Sequence, residues 1–230
     1  LNAEQLELYF QPKVNIRTGS VVGAEALLRW HHPLHGFVTP DQFVPLAEQT
    51  GLIKPLTRWV VEREVKEMAG WHRQGIQIGV SINISARNLR EANFGEQILD
   101  LLQRYGVSPN WLTLEVTETA MMEDRDAALR VLTAIHRSGI RISVDDFGVG
   151  YSSLAYLSQL PISELKIDKG FIFDMDRKGG EDVIVRTTIN MAHDLRLQAV
   201  AEGVESEMAY NRLRAFGCDL VQGYHISRPL

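Results

Sequence analysis

The sequence predicts an α/β chain folded as a modified TIM (β/α)8 barrel with one antiparallel strand near the N-terminus. Eight short runs of β-type residues recur along it, and from the third run onward most of the gaps show helical periodicity. Strands alternating with helices imply parallel neighbours joined by right-handed crossovers, and eight of them over this length suggest a closed ring. The start breaks that rhythm. Only the short turn holding Arg17, Thr18, Gly19 and Ser20 separates the first two runs, so these two must form an antiparallel hairpin.

In order, the runs are LELYFQPKV (6–14), VVGAEALLRW (21–30), IQIGVSINIS (76–85), LTLEVTE (112–118), RISVDDFG (141–148), ELKID (164–168), QAVAEGVE (198–205) and LVQGY (220–224). Helical stretches near 41–49 and 54–74 fill the long gap before the third run. AALRVLTAIHRSG precedes the fifth and VIVRTTINMAHDL the seventh. No Pro/Ser/Gly-rich linker or composition shift divides the chain, so residues 1–230 are expected to form a single domain, one excised from a longer protein.

Bulk composition narrows the function classes. With 45% apolar and 23% charged residues the chain reads as an ordinary globular one, and its net charge of -5 gives no basic footprint for duplex nucleic acid. No apolar run reaches the roughly 18–20 residues of a membrane span. One cysteine, Cys218 in FGCDLV, has no internal partner for a disulfide, which favours a cytoplasmic setting and a core role for that thiol.

The chemistry gathers at the strand ends. Reading each run to its C-terminal end gives Glu25, Asn83, Glu115 and Glu118, Asp145 and Asp146, Lys166, Glu202 and Glu205, and Gln222. In a barrel these ends converge at one mouth, where active sites are built. Any one acidic residue there could be a salt-bridge partner or helix cap. Together, however, Glu25, Glu115, Asp145, Asp146 and Glu202 set five negative charges against two nearby cations, Lys166 and Arg29. An excess of about three charges in a partly dry cavity is strongly unfavourable unless cations compensate it. Hard oxygen donors with no Cys or His among them favour Mg2+ or Mn2+ over zinc. Two such ions would leave the site ready for an anionic substrate, and adjacent aspartates where a strand loses its alternation can aim both carboxylates inward. That arrangement points to phosphodiester hydrolysis.

The ordered set EALLRW, SIN, LEVTE, DDFGVGYSSL, LKID, AEGVE and QGY, running from YFQPKV to SRP, resembles the EAL-domain cyclic di-GMP phosphodiesterases over essentially the whole chain. The resemblance implies hydrolysis of cyclic di-GMP to linear pGpG with two divalent cations, Mg2+ or Mn2+. It implies that Glu25, Asn83, Glu115 and Asp145 ligate one ion, and that Asp145, Asp146 and Glu202 hold the other directly or through water. Lys166 would orient the attacking hydroxide and stabilise phosphate charge. Gln11, Arg29 and Gln222 are similar to substrate contacts, Glu118 to the glutamate that anchors the loop after the fifth strand, and Glu205 to a supporting residue. Glu202 is read either as a ligand or as the proton acceptor. The resemblance also implies a homodimer through the region after Tyr151 and an upstream sensory or cyclase domain. One position departs from the family's DDFGTGYS: Val149 stands where Thr is usual, with an expected effect on rate rather than loss of activity.

Two other readings compete. A catalytically silent cyclic di-GMP receptor would have lost a metal ligand, and none is lost here. A barrel enzyme acting through an enolate would need a proton-abstracting or Schiff-base lysine and leaves the motif set unexplained. His31, His32 and His35 in RWHHPLHG read as a solvated loop. Trp59, Trp71, Met121 and Met122 read as packing between helix and barrel. The tract 174–183 reads as an exposed connection or helix start and lacks the spaced ligands of a calcium loop.

Overall fold

A computed structural model of the chain describes residues 5–148, 154–178 and 182–230; Val149, Tyr151 and the pair of glycines at 179–180 lie outside the described residues. Strand β1 (Leu6–Asn15) turns at once into β2 (Val21–His32). The turn is local chemistry: the Asn15 Oδ1 accepts from the Arg17 and Thr18 amides at 3.0 and 3.1 Å, and Gly19 takes φ +71°. The two strands then pair antiparallel from Leu6 opposite Trp30 to Val14 opposite Val21. A short third strand, β3 (Gly36–Val38), folds back on the end of β2.

The remaining strands are β4 (Gly79–Ile84), β5 (Leu112–Thr117), β6 (Arg141–Phe147), β7 (Glu164–Ile167), β8 (Gln198–Ala201) and β9 (Leu220–Val221). They run parallel to one another and to β2, in chain order around the ring. The ring closes where β1 meets β9 antiparallel, Val14 opposite Val221 and Asn15 opposite Leu220. Thus β1 is the reversed strand, as the tight first turn requires. Helices α1 (Pro40–Thr50) and α2 (Ile53–Arg73) fill the gap before β4. Then come α3 (Phe94–Tyr105), α4 (Glu118–Met122), α5 (Arg125–Arg137), α6 (Leu154–Leu157), α7 (Lys169–Lys178), α8 (Asp182–Asp194) and α9 (Glu207–Phe216).

The histidine segment corrects the sequence expectation. His31 and His32 belong to β2 and pair with Phe37 and Gly36 of β3, so these two lie on a hairpin, while His35 sits in its exposed turn as expected. The sequence signal failed because β3 has only three residues and His is a poor marker of a strand. This hairpin delivers the chain to Thr39, whose amide donates to the Gln42 side chain at 3.4 Å, with Pro40 opening α1. Phe43 and Ala47 of α1 then bury against Leu6, Ile53 and Leu56, forming a small second core beside the barrel mouth.

Alternation along the parallel strands sorts the side chains into two layers. Val80, Ile82, Leu114, Val116, Ile142, Val144, Leu165 and Ile167 face outward and form the main core beneath the helices. The residues between them, in matching rows, face the barrel interior: Ser81 beside Thr113, Glu115 beside Ser143, and Ser143 beside Glu164. Barrel interiors are ordinarily filled by branched apolar residues. Here the interior is polar and the apolar core is the layer between sheet and helices. Trp59, Trp71 and Met122 pack against that core and Met121 is buried in it, as expected; the Trp71 ring meets Phe10 edge-on at 4.8 Å. Cys218 is buried, and desolvation pushes its thiol up to about 12, which suits an inert core residue.

Helix α2 carries one buried group that opposes this order. Glu64 is fully buried, and neither carboxyl oxygen finds a partner among the described residues. Burial, reinforced by Glu67, pushes its carboxyl up to about 8 from 4.5. The folded chain therefore keeps a proton that the unfolded chain loses above its ordinary value. Stability is fully present below about pH 4.5 and falls as pH rises toward 8. The slope is on the order of 1 kcal/mol per pH unit. Urea midpoints taken at pH 5.5 and pH 8 should differ for the wild type, and the difference should shrink in Glu64→Met; an equal difference in both would show that Glu64 is not its source.

Candidate active site

Lys166 occupies the centre of the mouth. Its side chain comes from β7 and is 1% exposed, and its ammonium meets four carboxylates. These are Glu115 Oε2 at 2.6 Å, Glu202 Oε1 at 2.6 Å, Asp145 Oδ1 at 3.1 Å and Glu25 Oε2 at 3.6 Å. Five strands, β2, β5, β6, β7 and the end of β8, thus converge on one nitrogen. Glu25 is held further by two amides, Asn83 Nδ2 donating to Oε1 at 2.8 Å and Gln222 Nε2 to Oε2 at 2.6 Å. Gln222 also donates to Gln11 Oε1 at 3.0 Å, and Gln11 donates to the Ser227 carbonyl at 3.1 Å. Gln222 is placed by a close backbone crossing, since a Cβ on the next residue, Gly223, would stand 2.2 Å from the Val204 backbone.

The paired aspartates show how the strand end works. Asp145 still follows the β alternation, but Asp146 takes φ +52°, and the register with β7 shifts between Val144 and Phe147. Aspartate tolerates this left-handed backbone better than most residues. The turn is tied by the Asp146 amide donating to Asp145 Oδ1 at 2.9 Å. Asp145, Asp146 and Glu202 can each offer an oxygen within 4.8 Å of the others, a grouping that could hold a metal ion. Glu118 opens α4, and its Oε2 accepts from the Gly148 amide at 3.2 Å, tying the end of β6 to the end of β5.

Too many carboxylates share too few cations. Burial raises the Glu202 carboxyl to about 8, and Asp145, Glu25 and Glu115 add to the rise against the pull of Lys166. Burial and the neighbouring Glu115 likewise raise Glu25, and burial with Asp145 and Asp168 raises Asp146. Glu115 alone goes the other way: burial would raise it, but Lys166 and Lys13 hold it down at about 2. Lys166 itself, although burial opposes its charge, is raised well above 10.5 by Glu115, Glu202, Glu25 and Asp145. A buried cage of oxygens in which burial and neighbouring carboxylates both disfavour the charged form of Glu202 fits a hard divalent cation.

Not every expected residue joins this network. Arg29 lies four residues beyond Glu25 on the same face of β2, but it bonds to the Leu28 carbonyl at 3.0 Å and stands 5.5 Å over the Tyr9 ring. It is therefore not the second cation of the cluster. Lys13 is. This residue, on the face of β1 that also carries Gln11, is buried with its ammonium 3.5 Å from Glu115 Oε1 and 3.3 Å from Glu164 Oε2. The period-two spacing of Gln11 and Lys13 was the available signal. Reversal of β1 carries its later residues deeper into the barrel, away from the mouth. Glu205 is exposed and takes no part in the network. Beside the carboxylates opens a cleft of about 530 Å³, lined by Asn83, Asp145 and Asp146 and by Leu28, Val44 and Pro45. Its size suits a small organic ligand.

The family model for the EAL domain matches residues 1–229. The chain belongs to the EAL domain family. It is 43% identical over 231 residues to the bifunctional diguanylate cyclase/cyclic di-GMP phosphodiesterase MucR of Pseudomonas aeruginosa, an alignment covering all of this chain and 34% of that protein. It is 39% identical over 227 residues to the cyclic di-GMP phosphodiesterase PA2567 of the same organism, covering 99% of this chain and 39% of that one. The chain thus spans a little over a third of the length of these relatives. A solved structure described as a PaMucR phosphodiesterase in complex with c-di-GMP superposes with a TM-score of 0.95 at 43% identity, covering 99% of this EAL domain and 92% of that chain. No helix among the described residues is long and apolar enough to cross a membrane.

Proposed function

We propose that this EAL domain is a metal-dependent phosphodiesterase that hydrolyses cyclic di-GMP to linear pGpG, using two Mg2+ or Mn2+ ions. The observation that carries the reading is the convergence of Asp145, Asp146 and Glu202 on one point beside Lys166, with Glu25, Asn83 and Glu115 bonded around it. When bound, the cations would acidify water and neutralise charge developing at phosphorus. Glu25, Asn83, Glu115 and Asp145 would hold one ion, and Asp145, Asp146 and Glu202 the other. Lys166, released from part of its carboxylate load, is placed to stabilise phosphate charge and orient the nucleophile. Glu202, which retains a proton easily, serves either as ligand or as proton acceptor. Gln11 and Gln222, bonded to each other at 3.0 Å, would exchange part of that pairing for the nucleotide, Arg29 would supply a guanidinium for a phosphate oxygen, and Glu118 ties the end of β6 to the end of β5.

The shares of the relatives' lengths support reading the chain as one catalytic module of a longer, multidomain protein. The proposal extends to a homodimer through the segment after Tyr151, where α6 begins at Leu154. The buried, unreactive Cys218 suits a reducing cytoplasm.

Incubation with cyclic di-GMP and Mg2+, then Mn2+, followed by chromatography of the nucleotides, tests the reading. Metal-dependent appearance of pGpG is expected. Intact substrate, with binding still detected, would replace the enzyme reading with that of a receptor.

A further inference from the structure

We propose that Lys13 is a positioning residue: it fixes the carboxylate of Glu115 from below so that this side chain can ligate a divalent cation at the mouth. The inference rests on the metal-site reading above and goes beyond it, because Lys13 stands on the far side of Glu115 from the cleft and is not among the cleft's lining residues.

Glu115 is 0% exposed and lies between two ammonium groups, Lys13 at 3.5 Å on Oε1 and Lys166 at 2.6 Å on Oε2. The two contacts differ in kind. Lys166 is shared among four carboxylates at the mouth, so its hold on Glu115 changes with whatever binds there. Lys13 is anchored elsewhere. Its ammonium donates to the Ser81 hydroxyl and pairs with Glu164 Oε2 at 3.3 Å, and Glu164 Oε1 is taken by Arg141 at 2.9 Å. A column of alternating charge therefore runs through the barrel from Arg141 through Glu164, Lys13 and Glu115 to Lys166. Its lower end opens into a separate cavity of about 190 Å³ at the opposite face of the barrel. A carboxylate pinned through one oxygen presents the other in a fixed direction and keeps its charge in a buried place. Partners that orient a metal ligand in this way typically contribute 10–100-fold to metal affinity.

A purely structural lysine would serve only to neutralise Glu164. The double variant Lys13→Met/Glu164→Gln removes both buried charges together, so no carboxylate is left buried without a cation, and Arg141, 39% exposed, is left to solvent while Glu115 loses its pin. Mn2+ binding, read without nucleotide from the electron paramagnetic resonance signal of free Mn2+, is expected to weaken by about 10–100-fold in this variant. Thermal melting in the same samples reports whether the fold is kept. Lys13→Met alone, which removes the pin while Glu164 keeps its pairing with Arg141 at 2.9 Å, takes its place if the double variant does not fold, with an expected loss of at least about tenfold. Wild-type Mn2+ affinity in either folded variant overturns the role of Lys13. The hydrolase reading fails separately: a wild-type chain that binds Mn2+ but leaves cyclic di-GMP uncut would refute the proposed reaction and leave the Lys13 comparison standing. A wild-type chain that binds no Mn2+ would refute both.

Discussion

Asp146→Asn is expected to lower kcat for cyclic di-GMP by about 10²–10³-fold, the scale of losing one preorganised contact to developing charge. The substitution is nearly isosteric, and asparagine tolerates the φ of +52° at this position, so the end of β6 should keep its shape. What is lost is one charge of the Asp145, Asp146 and Glu202 grouping. Gln11, Arg29 and Gln222 are untouched, so nucleotide affinity should stay near that of the wild type. A fall in kcat without a matching rise in dissociation constant is the signature of a group acting in the transition state. Steady-state kinetics paired with calorimetric titration of the nucleotide measure both quantities. Full turnover in the variant would remove the assignment of Asp146 to a metal.

Glu115→Gln should act on stability as well as on activity. The carboxylate is fully buried between Lys13 and Lys166, and the neutral amide would leave Lys13 with Glu164 alone and Lys166 with one fewer partner. Removing one member of a buried ion pair costs about 3–5 kcal/mol. For a chain of this length that corresponds to a fall in Tm of roughly 6–20 °C. The direction of the pKa agrees, since the two lysines hold Glu115 at about 2 against its burial. Its stabilisation is fully present above the ordinary glutamate range and is lost only as pH falls toward 2. Urea denaturation at pH 7 should therefore separate variant from wild type, and matching midpoints would mean that the charge column does not hold the barrel together.

Much of this architecture was legible in the sequence because its causes are local. The tight turn after Asn15 forces β1 to run backwards, and strand ends in a parallel barrel must share a face, so the sequence alone brings Glu25, Glu115, Asp145, Lys166 and Gln222 together. The adjacent aspartates announced a break in alternation, and Asp146 supplies it. What could not be read depends on contacts between distant segments. Lys13 and Glu164 are 151 residues apart and look like ordinary surface charges until the barrel closes around them. Arg29 is near Glu25 in sequence, yet the Tyr9 ring from the facing strand claims it. The short β3 carries too few residues to declare itself against two histidines and a glycine.

The seam between β1 and β9 gives the site a history as well as a shape. The ring is shut by two residue pairs, Val14 with Val221 and Asn15 with Leu220, which bring together segments from opposite ends of the chain. Pairings this distant in sequence carry a large loop-closure cost and slow the approach to the native state. Gln11 lies on one side of the seam and Gln222 on the other, and Gln222 in turn holds Glu25. A partly folded chain with every parallel strand in place but the seam unmade would lack this clasp on Glu25. The clasp of Gln11 and Gln222 on Glu25 is thus the part of the mouth that waits for the ring to close, while the grouping of Asp145, Asp146 and Glu202 beside Lys166 comes from strands that do not meet at the seam.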